Sequence, residues 1–383
     1  MATVLPLQGI TILDFTRLLP GPYLTQLLSD LGATVIKVES TLAGDYARIV
    51  PPEMGLAGLF EAVNAGKKSL AVNYRRPEGR EVIYRLVERA DVFIEGFRPG
   101  AVERYRLDYT TLQAINPRLV YCALSGYGQA GPYRQRAGHD LNYVAVGGAL
   151  GLNGEADGPP VPPGVPIADL AGGMLAAIAI LAALMGRERT GQGMYLDIGL
   201  MDAVVSWMTP LALGPYFAQG VVPERGQMPL AGGLPCYQVY PTGDGRYLTL
   251  AALEPHFWAA FCEAVDHPEW IPRQLDPALK DELRALFRQR TLAEWLALLD
   301  QVDACVEPVV TVEEMLNHPQ VRARGHVRVE GGRPVGMAPP FVFVPRERPP
   351  APRLGEHTRE ILRSIGYTPA EVEALDTEGV VKA

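Results

Sequence analysis

Cysteine is scarce: the 383 residues hold only Cys122, Cys236, Cys262 and Cys305. They form no CxxC pair and show no metal-ligand spacing, which excludes a zinc ribbon or a thioredoxin-type centre. Each lies in an apolar stretch, so buried, unpaired thiols in a reducing compartment are expected. Net positive charge is missing too. The formal charge is −8, whereas a general nucleic-acid binder needs a cationic face. Long apolar runs are rare. Only residues 170–186 come near transmembrane length. Their small residues, among them Gly172, Gly173, Ala176 and Ala177, suit a helix packed closely in a protein core. Neither a nucleic-acid nor a membrane partner is expected. The N-terminus has no charged region followed by an apolar core, so no signal peptide is expected. The C-terminal Val381-Lys382-Ala383 is not a peroxisomal tripeptide. The cytoplasm is the expected compartment.

Catalytic signatures are also lacking. There is no P-loop, zinc-protease motif, hydrolase elbow or kinase motif. The Gly-rich dinucleotide fingerprint is absent: the first turn reads Arg17-Leu18-Leu19-Pro20-Gly21-Pro22. Glu39 ends the second expected strand, where a ribose-binding acid would sit, but that feature alone is weak.

The chain does have an ordinary globular balance, 48% hydrophobic and 20% charged. Its first 125 residues alternate between strand and helix. Strands are expected at residues 10–15, 35–38, 69–72, 92–94 and 119–124. Helices are expected at 23–31 and 78–88. Such alternation predicts an α/β fold with a mostly parallel sheet, whose ligands gather at the carboxyl ends of the strands. Residues 140–205 read as mainly helical. The expected organisation is a large domain over 1–205, a Gly/Pro-rich linker over 206–232 and a small α+β domain over 233–328. Residues 329–383 are expected to return to the large domain. A hairpin is expected at 239–248, where Gly243-Asp244-Gly245 supplies the turn.

Three sites stand out for chemistry. His139 and Asp140 lie in Gly138-His139-Asp140-Leu141-Asn142-Tyr143, after a glycine-rich turn. Asp169 directly precedes the apolar helix, and Glu254 precedes Pro255. By spacing alone each reads first as a helix cap. Lys37, Lys67, Lys68, Arg98 and Arg104 fall near expected strand ends, where cations suit phosphates.

Ordered matches along the chain carry a family resemblance. They include Leu31-Gly32-Ala33-Thr34-Val35-Ile36-Lys37-Val38-Glu39 and Asn64-Ala65-Gly66-Lys67-Lys68-Ser69. Glu95-Gly96-Phe97-Arg98-Pro99-Gly100, Gly126-Tyr127-Gly128-Gln129 and Ala168-Asp169-Leu170 follow. Cys305-Val306-Glu307-Pro308 and Leu354-Gly355-Glu356-His357-Thr358 complete the series. Over nearly its whole length the chain resembles the family III CoA-transferase superfamily. In motifs it is nearest to the α-methylacyl-CoA racemase branch. The resemblance implies a large Rossmann-like domain and a smaller inserted one, with two subunits interlocked as rings in a homodimer. It implies an acyl-CoA substrate, with CoA as part of that substrate, no prosthetic group and no metal.

The resemblance also implies roles. In transferases the residue matching Asp169 is a nucleophile that forms aspartyl-CoA. In racemases it is one of two acid/base groups. The other is the His of a Gly-His-Asp-x-Asn-Tyr motif, assisted by the Glu of a Glu-Pro pair. This chain has both racemase features, so His139, Asp169 and Glu254 are the expected catalytic residues. The expected reaction is 1,1-proton transfer at the α-carbon of a 2-methylacyl-CoA; CoA transfer to a free carboxylate is the alternative. The Asp140 backbone N–H is the expected oxyanion donor. Lys37, Asn64, Lys67, Arg98, Arg104 and Tyr127 are the expected CoA contacts. The sequence leaves one tension open: a helix N-terminus lowers the pKa of Asp169, while burial raises it.

Overall fold

The computed structural model describes residues 4–345 and 347–383. The chain divides into two compact units. The first takes in the chain up to Gly147, then Val165–Ser206, then Ala323 onwards; the second takes in Gly148–Gly164 and Trp207–Arg322.

The first unit is built on β1 (Thr11–Phe15), β2 (Thr34–Glu39), β3 (Lys68–Val72), β4 (Val92–Glu95), β5 (Val120–Ser125) and β6 (Tyr195–Gly199). These strands are parallel, in the order β3-β2-β1-β4-β5-β6. Val381–Lys382 adds an antiparallel edge to β3, so the end of the chain closes this sheet. The strands read as continuous apolar runs because helices cover both faces; β5 is buried at every position. Connections run outward in opposite directions from β1 and β4. Their carboxyl ends therefore flank the switch point where open α/β sheets bind ligands.

The helices of this unit before residue 148 are α1 (Pro20–Asp30), α2 (Leu59–Asn64), α3 (Pro77–Val87), α4 (Tyr109–Ile115) and α5 (Asp140–Val146). After α6 (Ala149–Leu152) of the second unit come α7 (Ile167–Thr190) and α8 (Leu200–Met208). Proline stands in the first turn of α1 and α3, where its missing N–H leaves no bond unmade. The apolar run forms α7, the one helix among the described residues long and apolar enough to cross a membrane. It packs on α1, β5 and β6. A Cβ on Gly173 would lie 2.9 Å from the Pro20 carbonyl oxygen, and one on Gly172 would lie 2.3 Å from the Leu200 side chain. Small residues are thus what let α7 sit close to its neighbours.

The second unit packs an antiparallel three-stranded sheet against helices. The sheet comprises β7 (Tyr237–Pro241), β8 (Tyr247–Ala251) and β9 (Val306–Pro308). β7 and β8 form the hairpin at the expected turn, closed by Thr242 N–H to the Arg246 carbonyl at 2.9 Å. Trp258, Phe261, Phe287 and Trp295 fill its core.

Three expectations need correction. Residues 148–164 belong to the second unit, not to a large domain running to 205. The stretch after 206 is not simply a linker: it contains helical turns at Thr209–Leu213 and Gly214–Gln219. Their prolines stand at helix starts, where proline favours a helix, so Pro content misread them. Cys305 is only partly buried, whereas Cys122, Cys236 and Cys262 are buried; all four are free thiols.

Candidate active site

A cavity of about 420 Å³ opens at the carboxyl ends of β1, β4 and β5. Phe15 closes β1, Gly96 follows β4, and Leu124 and Ser125 end β5; all four line it. His139 and Asp169, separated by thirty positions in sequence, line this same cavity. Arg98 and Tyr127 join them, as do Arg17, Arg134 and Arg136, which sequence reading missed. A second cavity of about 410 Å³ lies over the ends of β1, β2 and β3. It shares Phe15, Thr16, Arg17 and Tyr46 with the first and adds Arg75. A larger cavity of about 790 Å³ lies in the second unit and contains no expected site residue.

Local chemistry shapes each wall. Leu18 takes a left-handed φ of 64°, and its N–H donates to Asp45 Oδ1 at 3.0 Å. That bond holds open the turn bearing Arg17, whose guanidinium lies 5.5 Å from the Tyr46 ring centroid and 5.0 Å from that of Phe97. After β4, Phe97 N–H donates to Glu95 Oε2 at 2.7 Å. Burial pushes the Glu95 carboxyl up to about 8.

After β5 the chain reaches His139 through a glycine-flanked loop. The Tyr143 ring packs beneath it, so tightly that a Cβ on Gly126 would fall 2.4 Å from the ring and one on Gly138 2.8 Å. The Tyr143 hydroxyl donates to the Gly138 carbonyl at 2.5 Å. His139 is the N-cap of α5 and its side chain is exposed. Its N–H donates to Asn142 Oδ1 at 3.0 Å, which fixes the turn. The Asp140 N–H stands at the first helical position, where an α-helix leaves it without an intrahelical acceptor.

Asp169 sits in the first turn of α7, behind the capping Pro166, which offers no side-chain acceptor. The Asp169 N–H instead donates to Asp140 Oδ1 at 3.0 Å. Burial, and secondarily the Asp140 charge, push the Asp169 carboxyl up to about 7. Burial therefore outweighs the helix N-terminus, and Asp169 can give or take a proton near neutral pH.

The remaining expected contacts divide. The side chains of Lys37, Asn64 and Lys67 are buried and already partnered, which corrects their assignment to CoA. Lys37 Nζ pairs with Asp45 Oδ2 at 2.8 Å and donates to the Thr16 carbonyl at 3.1 Å. Lys67 Nζ meets Thr25 Oγ1 at 2.7 Å, Asn64 Oδ1 and the Pro22 carbonyl at 2.9 Å, and Asp14 Oδ2 at 3.5 Å. Burial lowers the Lys67 ammonium to about 7. The physical reason is the sheet itself. Both faces are covered, so a lysine within β2 or just before β3 points into packed structure rather than toward a ligand. Lys68 is partly exposed and paired with Glu360. Arg104 is exposed on the turn Glu103–Tyr105 and lines neither cavity. Glu39 is engaged by Arg48 at 2.7 and 2.8 Å. Glu254 lies in the second unit, exposed, as the N-cap of the helix Pro255–Ala264.

Arg17 could have been read from sequence as the first cation after the first strand. Arg134 and Arg136 lie in an aperiodic loop, where no pattern marks them.

The chain matches the family described as CoA-transferase family III over residues 7–358. It is 33% identical over 388 residues to the alpha-methylacyl-CoA racemase of Homo sapiens, covering 98% of each chain. It is 36% identical over 397 residues to the succinyl-CoA:glutarate CoA-transferase of Mus musculus, covering 98% of this chain and 90% of that one. Among solved structures, a CAIB/BAIF family protein from Brucella suis superposes with a TM-score of 0.81 at 34% identity, covering 95% of this chain and 100% of that one. With this match across both units and an acidic group in a cavity at the sheet's switch point, the chain belongs to CoA-transferase family III, whose members are acyl-CoA racemases or CoA-transferases.

Proposed function

We propose that the protein epimerises 2-methylacyl-CoA thioesters by 1,1-proton transfer at the α-carbon. The observation that carries this reading is the pairing of His139 with Asp169 on one cavity, with Asp169 raised to about 7. A thioester acidifies its α-carbon only partly, so the enolate must be stabilised as it forms. The unpaired N–H of Asp140 at a helix start suits the thioester oxygen. His139 removes the proton from one face and Asp169 delivers one to the other. Because the reaction runs both ways, each group must be available in both protonation states. A carboxyl near 7 meets that requirement, while an ordinary carboxylate does not.

The second reading is CoA transfer through an aspartyl-CoA intermediate at Asp169. The transferase relatives favour it, since they are as similar to this chain as the racemases are. Incubation with a 2-methylacyl-CoA in deuterated water separates the two. The expected result is α-deuterium incorporation, reduced about 10²-fold or more in His139→Ala. CoA passage to added carboxylates without α-deuterium overturns the racemase reading.

The phosphates of CoA are proposed to meet Arg17, Arg75, Arg98, Arg134 and Arg136 in the two adjoining cavities. Arg17 is the cation common to both. Arg17→Gln is expected to raise KM for acyl-CoA about tenfold with kcat little changed. Wild-type KM is also expected to rise with salt more steeply than that of the variant. An unchanged KM at low salt removes Arg17 from the phosphate site.

A further inference from the structure

We propose that the Asp140 side chain is a positioning residue that ties the His139 turn to the helix carrying Asp169 and sets the charge that Asp169 feels. The catalytic consequence rests on the acid/base role proposed for Asp169; the electrostatic coupling does not.

The geometry comes first. α7 lacks a cap of its own, because Pro166 has no side-chain acceptor. The orphan N–H of Asp169 is satisfied instead from α5, by Asp140 Oδ1 at 3.0 Å. Asp140 directly follows His139, whose backbone is fixed by Asn142. One short turn therefore bears the candidate base and also caps the helix that bears its counterpart. This bond bridges positions 29 apart in sequence, and it gives two helix starts a defined separation across the cavity.

The second consequence is electrostatic. A carboxylate bonded to the Asp169 amide stands close to the Asp169 carboxyl, and like charges disfavour a second ionisation. Burial is the larger cause of the upward displacement of Asp169, and Asp140 is the charged neighbour that adds to it. Other titratable groups lie on the elements around α7. They are His139 at the start of α5 and Tyr143 on it, Tyr23 and Asp30 on α1, Tyr121 and Cys122 on β5, Tyr195 and Asp197 on β6, and Tyr127 after β5. Arg17, Arg98, Arg134 and Arg136 line the cavity. Asp140 differs from all of these in its direct hydrogen bond to the Asp169 backbone.

Two substitutions separate cap from charge. Asp140→Asn keeps an oxygen acceptor for the Asp169 N–H but removes the charge. Asp140→Ala removes both. The full-length protein, labelled with ¹³C at the aspartate carboxyls, is titrated by NMR, with Asp169→Asn identifying the Asp169 signal. The Asp169 midpoint is expected to fall by about one unit in Asp140→Asn. The pH limb of kcat/KM assigned to Asp169 is expected to move down with it. In Asp140→Ala the Asp169 amide is also expected to exchange with solvent faster. A midpoint unchanged in Asp140→Asn overturns the proposal, whatever reaction the enzyme catalyses. A midpoint that falls in an enzyme showing no α-exchange supports the coupling and removes the racemase reading instead. If Asp140→Asn does not fold, Asp140→Ser, which also keeps a neutral acceptor, is read in the same way.

Discussion

Asp169→Asn is expected to lower turnover about 10³-fold while leaving KM for the acyl-CoA within about threefold. The amide fills nearly the same space and the Asp169 N–H keeps its bond to Asp140, so the fold should survive. What is lost is an ionisable carboxyl group. Both proposed reactions require it, one as acid and base, the other as nucleophile. The wild-type pH dependence follows from the raised carboxyl. Where Asp169 acts as base, its ionisation gives kcat/KM an ascending limb through about 7. Where it acts as acid, in the opposite direction of epimerisation, kcat/KM falls through the same value. A variant that keeps more than about a tenth of wild-type turnover would remove Asp169 from the chemistry.

The largest expected loss of stability comes from a residue that lines neither cavity at the sheet's carboxyl edge. Lys67→Met should destabilise the protein by about 3–5 kcal/mol, because it breaks a buried ion pair from one side. The change leaves Asp14, fully buried, with only Lys37 as a countercharge and strips a donor from Asn64, Thr25 and the Pro22 carbonyl. Urea unfolding at neutral pH measures the loss. The acid side gives a second signature. Burial alone would raise the Asp14 pKa, but Lys37, Lys67, Thr16 and Thr25 together hold it below its ordinary 3.8. That stabilisation is present above 3.8 and is lost as pH falls through the lower folded value. Without Lys67 the folded value rises, so acid unfolding of the variant should begin at a higher pH. Replacing both partners, Asp14→Leu with Lys67→Met, should cost less than the sum of the two single changes. Strict additivity would mean that the pair is not coupled.

These two residues show where sequence and structure divide the work. Asp169 was legible as a candidate because Ala168-Asp169-Leu170 opens an apolar run and belongs to an ordered series of family motifs. Lys67 was legible only as a lysine near a strand end, and the sequence reading sent it to the CoA phosphates. Burial reversed that assignment, because a sheet covered on both faces turns nearby lysines inward to a compensating carboxylate. Arg17, Arg134 and Arg136 went the other way. Arg17 is marked in the sequence only as the first cation after the first strand, and Arg134 and Arg136 lie in a loop that carries no periodicity.

By itself, the sequence determined the alternation of strand and helix, the parallel sheet, the core helix and the family. Each of these follows from local periodicity, small-residue composition or motif order, which need no knowledge of distant contacts. Only the tertiary structure decided the state of Asp169. Its ionisation depends on how much water packing removes, and on a carboxylate 29 positions away in sequence. Proximity of that kind is a property of the folded chain. The same fold brings His139, which is the N-cap of α5, and Asp169 to one cavity, whereas by spacing alone each reads first as a helix cap.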